Sequence, residues 1–223
     1  LTNFEVLAEN FKLTAGFEPL QGTFQSLDQC LALDGQTRLI LPESAVQFNE
    51  AAFTIALDWT PTNPEVKNQQ IIGHSNWEIY QSKDSVIFRV GKTSPNGERF
   101  SITHPVGKAF FDNTHSLVAV YSPASSLTEN GFIELYIDNF MVGRQDIGQS
   151  TILSSEAQNI SLGQTYGADD KSYFEGQICN PRISLQALPG SEVTEIITNY
   201  SVIQKQMPVF GDGSLETLEL QIQ

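Results

Sequence analysis

The sequence predicts an all-β fold, a sandwich of two antiparallel sheets with one short helix near its C-terminal end. Three observations lead there. The segment "AAFTIALDW" (51–59) alternates, with Phe53, Ile55, Leu57 and Trp59 on one side and Thr54, Ala56 and Asp58 on the other, the period of a half-buried strand. Segments of the same kind follow at roughly 8–12 residue spacing between turn signals, the rhythm of an all-β sandwich. Charged residues make up only 17% of the chain, and the Gly, Ser, Thr, Asn and Gln that replace them suit strands and turns better than long helices.

The elements follow in order. "QQIIGH" (69–74), "WEIYQS" (77–82), "SVIFRVG" (85–91) and "RFSITH" (99–104) read as successive strands, and the apolar "HSLVAVYS" (115–122) as a central one. "GFIELYID" and "FMVGRQ" meet at Asp138-Asn139, two residue types that tolerate the left-handed conformation of a tight hairpin turn. "NISLGQ" (159–164) and "YFEGQICNPRISLQAL" (173–188) close the set. In "PGSEVTEIITNY" (189–200), Ser191 is the expected N-cap, with Glu192 and Glu195 at the positive end of the helix dipole. Val193, Ile196, Ile197 and Tyr200 form its apolar face. No repeat of 20–50 residues interrupts this pattern.

At 223 residues the chain can bury a full core as one unit. The ends lie outside the strand rhythm. "FEVLAENFKL" and "LETLELQIQ" carry enough Leu, Phe and β-branched residues to bury one face. Residues 1–25 and 206–223 are therefore expected to be ordered strands, joined to each other, to an edge of the sandwich or to a neighbouring chain.

Charge excludes some partners. The net charge is −14, and an acidic chain repels both phosphate backbones and anionic membrane surfaces, so neither nucleic-acid binding nor membrane insertion is expected. No run of 18 apolar residues exists to form a spanning helix. The charge is uneven: residues 1–66 carry 9 acidic and 2 basic side chains, residues 67–120 carry 4 and 6, and residues 121–223 carry 13 and 4. Leu1 is not a Met and no signal peptide precedes it, so the chain reads as a mature product or a piece of something longer.

The order "CLALDGQTRLILP", "FTIALDWTP", "QIIGH", "WEIY", "DNTHSLVAVYS", "IELYIDNFMVG", "ISLG", "YFEGQICNPRISLQAL" and "SEVTEI" resembles the laminin-G-like domains of the concanavalin-A-like lectin/glucanase superfamily. The resemblance covers about residues 29–200. It implies a jelly-roll sandwich over 29–200, with 1–28 and 201–223 as N- and C-terminal extensions. It also implies that the first and closing strands are neighbours, which puts Cys30 beside Cys179 as a disulfide or as two buried thiols. A non-catalytic recognition module for a glycan or protein ligand, secreted or at the cell surface, follows as the expected function. The alternative is a structural subunit or spacer of a larger surface assembly, or a homo-oligomer.

Catalytic readings are weaker. Retaining glycoside hydrolysis needs two carboxyls about 5–5.5 Å apart. Glucanases of this fold carry Glu-x-Asp-x-x-Glu on one strand, but here Tyr136 follows Glu134 where the helper Asp belongs. The next acid, Asp138, is roughly 13 Å further along at about 3.3 Å per residue. Polysaccharide lyase chemistry needs a Tyr/His pair, and the Gln-x-His strand motif is missing. His74, His104 and His115 lack metal-ligand spacing and read as strand-end or surface residues. Calcium is the ion considered, with Asp34 and the "GADDKS" loop acids Asp169 and Asp170 as ligands and Asp28 and Asp138 as further candidates. For sugar binding, Trp77, Tyr80 and Tyr136 are the candidate stacking aromatics, with Asn76, Gln81 and Arg89 as polar companions. Trp77 and Tyr80 have opposite parity, so one of them belongs to the core.

Overall fold

The computed structural model describes residues 30–35, 52–65, 68–74, 76–91, 99–126, 128–149, 160–163 and 173–193, together with the backbone of five short strands outside them. The strands are β1 (Thr2–Asn3), β2 (Glu5–Val6), β3 (Gly16–Pro19), β4 (Phe24–Ser26), β5 (Cys30–Asp34), β6 (Leu39–Leu41), β7 (Phe53–Pro61) and β8 (Gln69–His74). They continue with β9 (Trp77–Ser82), β10 (Ser85–Gly91), β11 (Arg99–Pro105), β12 (His115–Ser122), β13 (Gly131–Ile137), β14 (Phe140–Gly148), β15 (Ile160–Leu162) and β16 (Glu175–Ser184). Every pairing is antiparallel. One sheet runs β1-β3-β4-β16-β7-β12-β13-β14, with β5 also on β16, and the other runs β11-β10-β9-β8-β15-β6-β2. We call them the β13 sheet and the β10 sheet.

The alternation seen in the sequence sets the layers. Phe53, Ile55, Leu57 and Trp59 of β7 point inward, with Leu117, Ala119 and Tyr121 of β12 and Ile133, Leu135 and Ile137 of β13. They meet Trp77, Ile79, Val86, Phe88, Val90 and Ile102 of the β10 sheet in one core. The Phe53 ring joins the two sheets, 5.4 Å from Trp77 and 5.2 Å from Tyr121. Fully burying side chains of this size stabilises by about 1.5–3 kcal/mol each, so this interface is the main source of stability.

The β13 sheet has a second, smaller core on its outer face. Ala56, Val118, Val120 and Tyr136 are covered there by Leu188 and Val193. Thr54 holds the cover in place. Its hydroxyl donates to the Gln186 carbonyl (2.8 Å) and accepts from the Leu188 amide (3.0 Å). The helix that follows starts earlier than Ser191. Pro189 is its first acceptor, bonded by the Val193 amide at 3.0 Å, so Ser191 lies inside the first turn and is not the cap. Ile196, Ile197 and Tyr200 lie outside the described residues, as do 206–223.

Three local features set the register. Asp138 and Asn139 have φ of 50° and 71°, the two positive values of a type I′ hairpin turn, and Ile137 pairs with Phe140 across it. Cys30 and Cys179 are directly opposite each other on β5 and β16 and form a disulfide, with Cα atoms 4.0 Å apart. Gly176 has φ of 143°, and a Cβ there would stand 2.0 Å from the Thr60 carbonyl oxygen, so only glycine lets β16 approach β7 this closely. At the N-terminal end, β4 pairs with β16 and β2 with β6, so strands from within residues 1–28 add to both sheets.

Candidate functional site

The two sheets carry the same arrangement on their outer faces. Glu78 and Tyr80 stand two apart on β9, and Arg89 of β10 is directly opposite Glu78. Glu134 and Tyr136 stand two apart on β13, and Arg144 of β14 is directly opposite Glu134. In the first clasp, Arg89 donates through Nη1 to Glu78 Oε1 (2.8 Å) and through Nη2 to the Tyr80 hydroxyl, with its guanidinium carbon 5.0 Å from the Tyr80 ring centre. In the second, Arg144 donates to Glu134 Oε1, the Tyr136 hydroxyl donates to Glu134 Oε2 (2.8 Å), and Arg144 lies 3.9 Å over the Phe132 ring.

The two differ in exposure at the glutamate, while both tyrosines are buried, Tyr80 at 9% and Tyr136 at 7%, and Arg144 is exposed at 46%. In the second clasp the Glu134 side chain is 7% exposed, because the 186–193 segment covers that face and Tyr136 belongs to the smaller core. Burial, then the hydrogen bond and charge of Glu134, push the Tyr136 hydroxyl up to about 12 against the opposing pull of Arg144. Glu134 accepts on both oxygens and is nearly buried, which suits a structural tie. In the first clasp, Arg89 and Glu78 are 32% and 27% exposed. Burial raises the Tyr80 hydroxyl pKa, Arg89 opposes it, and the Glu78 charge adds to the rise. Ser101 and Thr103 of β11 stand opposite Arg89 and Ile87 and are exposed on the same face. The result is a prepositioned guanidinium on an aromatic ring, beside a carboxylate and two hydroxyls.

The predicted binding residues therefore divide. Tyr80 and Arg89 come together at the first clasp, where Arg89 is partly exposed and Tyr80 is corrected from a surface stacking aromatic to a buried ring beneath the guanidinium. Trp77 faces inward at 2% exposure and belongs to the core, which resolves the parity conflict between it and Tyr80. Gln81 is also inward, and its Oε1 accepts the Trp59 indole N–H at 3.1 Å. Asn76 is buried in the β8–β9 turn, where its carbonyl accepts the Gly91 amide at 2.8 Å. As surface ligands for a sugar, Trp77, Gln81 and Asn76 are thus corrected to interior positions, and Tyr136 to the covered face of the other sheet. Glu78 and the β11 hydroxyls were missed. Glu78 shares parity with Tyr80, a signal present in "WEIY", but its pairing with Arg89 needs the strand register.

The histidines fall apart in space. His74 ends β8 with its ring 6.0 Å from Trp77, and His104 lies in β11. His115 is the most engaged. Its Nδ1 is 2.7 Å from Asp138 Oδ2, its Nε2 is 2.8 Å from the Phe110 carbonyl, and Phe110 stacks on the ring at 3.6 Å. Two acceptors on two ring nitrogens are both satisfied only by the doubly protonated ring. Burial works against that charge, but the hydrogen bonds of Asp138 and the Phe110 carbonyl and the charge of Asp138 win, and the His115 pKa is raised. Nearby, burial raises the Asp58 pKa against the Asn180 hydrogen bond (3.2 Å) and the charge of Arg182.

Among the described residues no group of three or more His, Cys, Asp or Glu is placed to hold a metal ion. Asp34 is directly opposite Glu175, whose Oε2 accepts from Asn63 at 2.8 Å. Two opposed carboxylates suit a cation, yet they fall short of the six to eight oxygens calcium takes. Asp28, Asp169 and Asp170 lie outside the described residues.

Comparison with known proteins follows the same architecture. No curated protein sequence matches the chain. The binding domain of botulinum neurotoxin DC, solved in complex with rat synaptotagmin II, is similar with a TM-score of 0.61 and 13% identity, over 89% of this chain and 47% of that one. The receptor binding domain of botulinum neurotoxin D gives 0.59 and 11%, over 89% and 48%. The CBM40 of a Ruminococcus gnavus IT-sialidase, bound to alpha2,3 sialyllactose, gives 0.53 and 15%, over 66% and 83%. The chain spans about half the length of the toxin domains it matches, and at these identities the likeness is one of fold. The family model described as the concanavalin A-like lectin/glucanases superfamily, of the laminin-G type, matches residues 33–194, and the chain belongs to that family.

Proposed function

We propose that this protein is a non-catalytic extracellular recognition module that binds glycan on the outer face of β9, β10 and β11. The observation that carries the reading is the first clasp, whose arginine and glutamate are both partly exposed. Arg89 is held on the Tyr80 ring by Glu78, with Ser101 and Thr103 exposed beside it. Sugar recognition draws on a few fixed polar groups, and this face supplies a guanidinium, a carboxylate and two hydroxyls, with the Tyr80 ring buried beneath the guanidinium. Proteins of similar fold solved with a sialylated sugar or a protein receptor support the class. The burial of Glu134 supports a binding role over hydrolysis.

A protein ligand is the second reading, favoured by Phe140 and Met141, exposed large apolar residues at the start of β14 next to the hairpin turn. A glycan array read with the wild type, Arg89→Ala and a Phe140→Ser/Met141→Ser variant separates them. Glycan binding lost in Arg89→Ala and kept in the β14 variant supports the β10 sheet as the binding face. Absence of any glycan signal from the folded wild type refutes it.

A further inference from the structure

We propose that the outer face of β9–β11 takes an acidic sugar, whose carboxylate is held by Arg99 beside the Arg89 clasp; this rests on the glycan-binding reading above. Arg99 opens β11 directly opposite Gly91, which contributes no side chain, and it is exposed on the same face as Ser101 and Thr103. Arg89 is opposite Ser101, so the two arginines are diagonal neighbours on one face, within reach of one ligand. The charge of Arg99 is felt at the Tyr80 hydroxyl, where burial acts first to raise the pKa and Arg99 joins Arg89 in opposing it.

The two arginines differ in what occupies them. Arg89 is neutralised by Glu78 and fixed by Tyr80. Arg99 forms no ion pair among the described residues, which leaves its guanidinium uncompensated by them. That charge sits in the basic stretch of an acidic chain. Residues 67–120 hold 6 basic and 4 acidic side chains, against 2 and 9 before them and 4 and 13 after. An anionic ligand is repelled by the net charge of the chain and drawn to an arginine that no described carboxylate neutralises. The chemistry divides accordingly. The Arg99 fork matches a carboxylate in two parallel hydrogen bonds. The Glu78 carboxylate and the Ser101 and Thr103 hydroxyls meet sugar hydroxyls. A neutral sugar forfeits the charge-assisted bonds and still displaces water from the guanidinium, which is the source of discrimination.

The test is an array of uronic- and sialic-acid oligosaccharides, each beside its carboxyl-reduced neutral counterpart, read in EGTA to remove calcium bridging. Wild-type protein is expected to prefer the acidic members by tenfold or more, with affinity falling as salt rises. Arg99→Gln, checked by an unchanged melting temperature, is expected to abolish that preference, and Arg99→Lys to recover part of it. Equal binding of acidic and neutral members, or a preference that survives in Arg99→Gln, overturns the acidic-sugar inference and leaves the glycan reading standing. Binding of no member of either set overturns both.

Discussion

Replacing the bridge with a Cys30→Ser/Cys179→Ala pair releases a loop of 149 residues in the unfolded chain. In the chain-entropy model a loop of that size is worth about 17 cal/mol/K, or about 5 kcal/mol at 25 °C. Native-state packing changes little. Cys30 is exposed and loses nothing on substitution, while the buried Cys179 gives up only its share of one sulfur contact. Measured bridges usually deliver about 2–4 kcal/mol, below the entropic figure, so a loss of about 3–5 kcal/mol is expected. For a domain of this length each kcal/mol moves the melting temperature by about 2–4 °C, which predicts a fall of about 6–20 °C. Calorimetry on the variant, and on the wild type with and without dithiothreitol, reads this directly. Hydrogen exchange adds position. Among the described residues β5 pairs with β16 alone, so its amides should lose protection before those of β7 and β12. A melting temperature within 2 °C of the wild type would refute the argument from loop closure.

The His115–Asp138 tie predicts a stability profile. The raised His115 pKa contributes stability that is complete below the unfolded value of about 6.5 and is lost as pH rises through the folded value. The Asp138 pKa is lowered: burial would raise it, but the His115 and Ser116 hydrogen bonds and the His115 charge prevail. Its contribution is present above about pH 3.9 and lost as pH falls through the folded value. Denaturant titrations between pH 6 and 9 should show a loss of about 1 kcal/mol that His115→Gln removes, and parallel slopes in the two proteins would count against it. Gly176→Ala should cost at least about 1–3 kcal/mol through its positive φ alone, with the Thr60 carbonyl clash added, and a neutral effect on urea midpoint would contradict the close approach of β16 to β7. Calcium held by Asp34 with Asp169 and Asp170 would raise the melting temperature, reversibly with EGTA, and an unchanged melting curve in millimolar calcium would dismiss the site.

Much of the architecture was legible because it is written in short-range pattern. The alternation in 51–59 named the inward residues of β7, and Asp138-Asn139 marked the hairpin turn through backbone preference alone. The parity of Trp77 and Tyr80 showed that they face opposite ways. It did not say which one faces the core, because alternation is symmetric until a second sheet is laid against one side. Register was also out of reach. Arg89 meets Glu78 only because of how β9 and β10 align, and two residues of slippage would have broken the clasp. The helix starts before Ser191, because the Pro189 carbonyl is the first acceptor, bonded by the Glu192 and Val193 amides. The last distinction is the functional one. "WEIY" and "IELY" spell the same Glu-x-Tyr pair, and each finds an arginine opposite its glutamate. Glu78 is partly exposed and Glu134 buried because Thr54 pins residues 186–188 over the β13 sheet, a contact between positions more than 130 apart in the chain. Local period carries no information about a partner that distant, so only the tertiary structure could choose between the two faces.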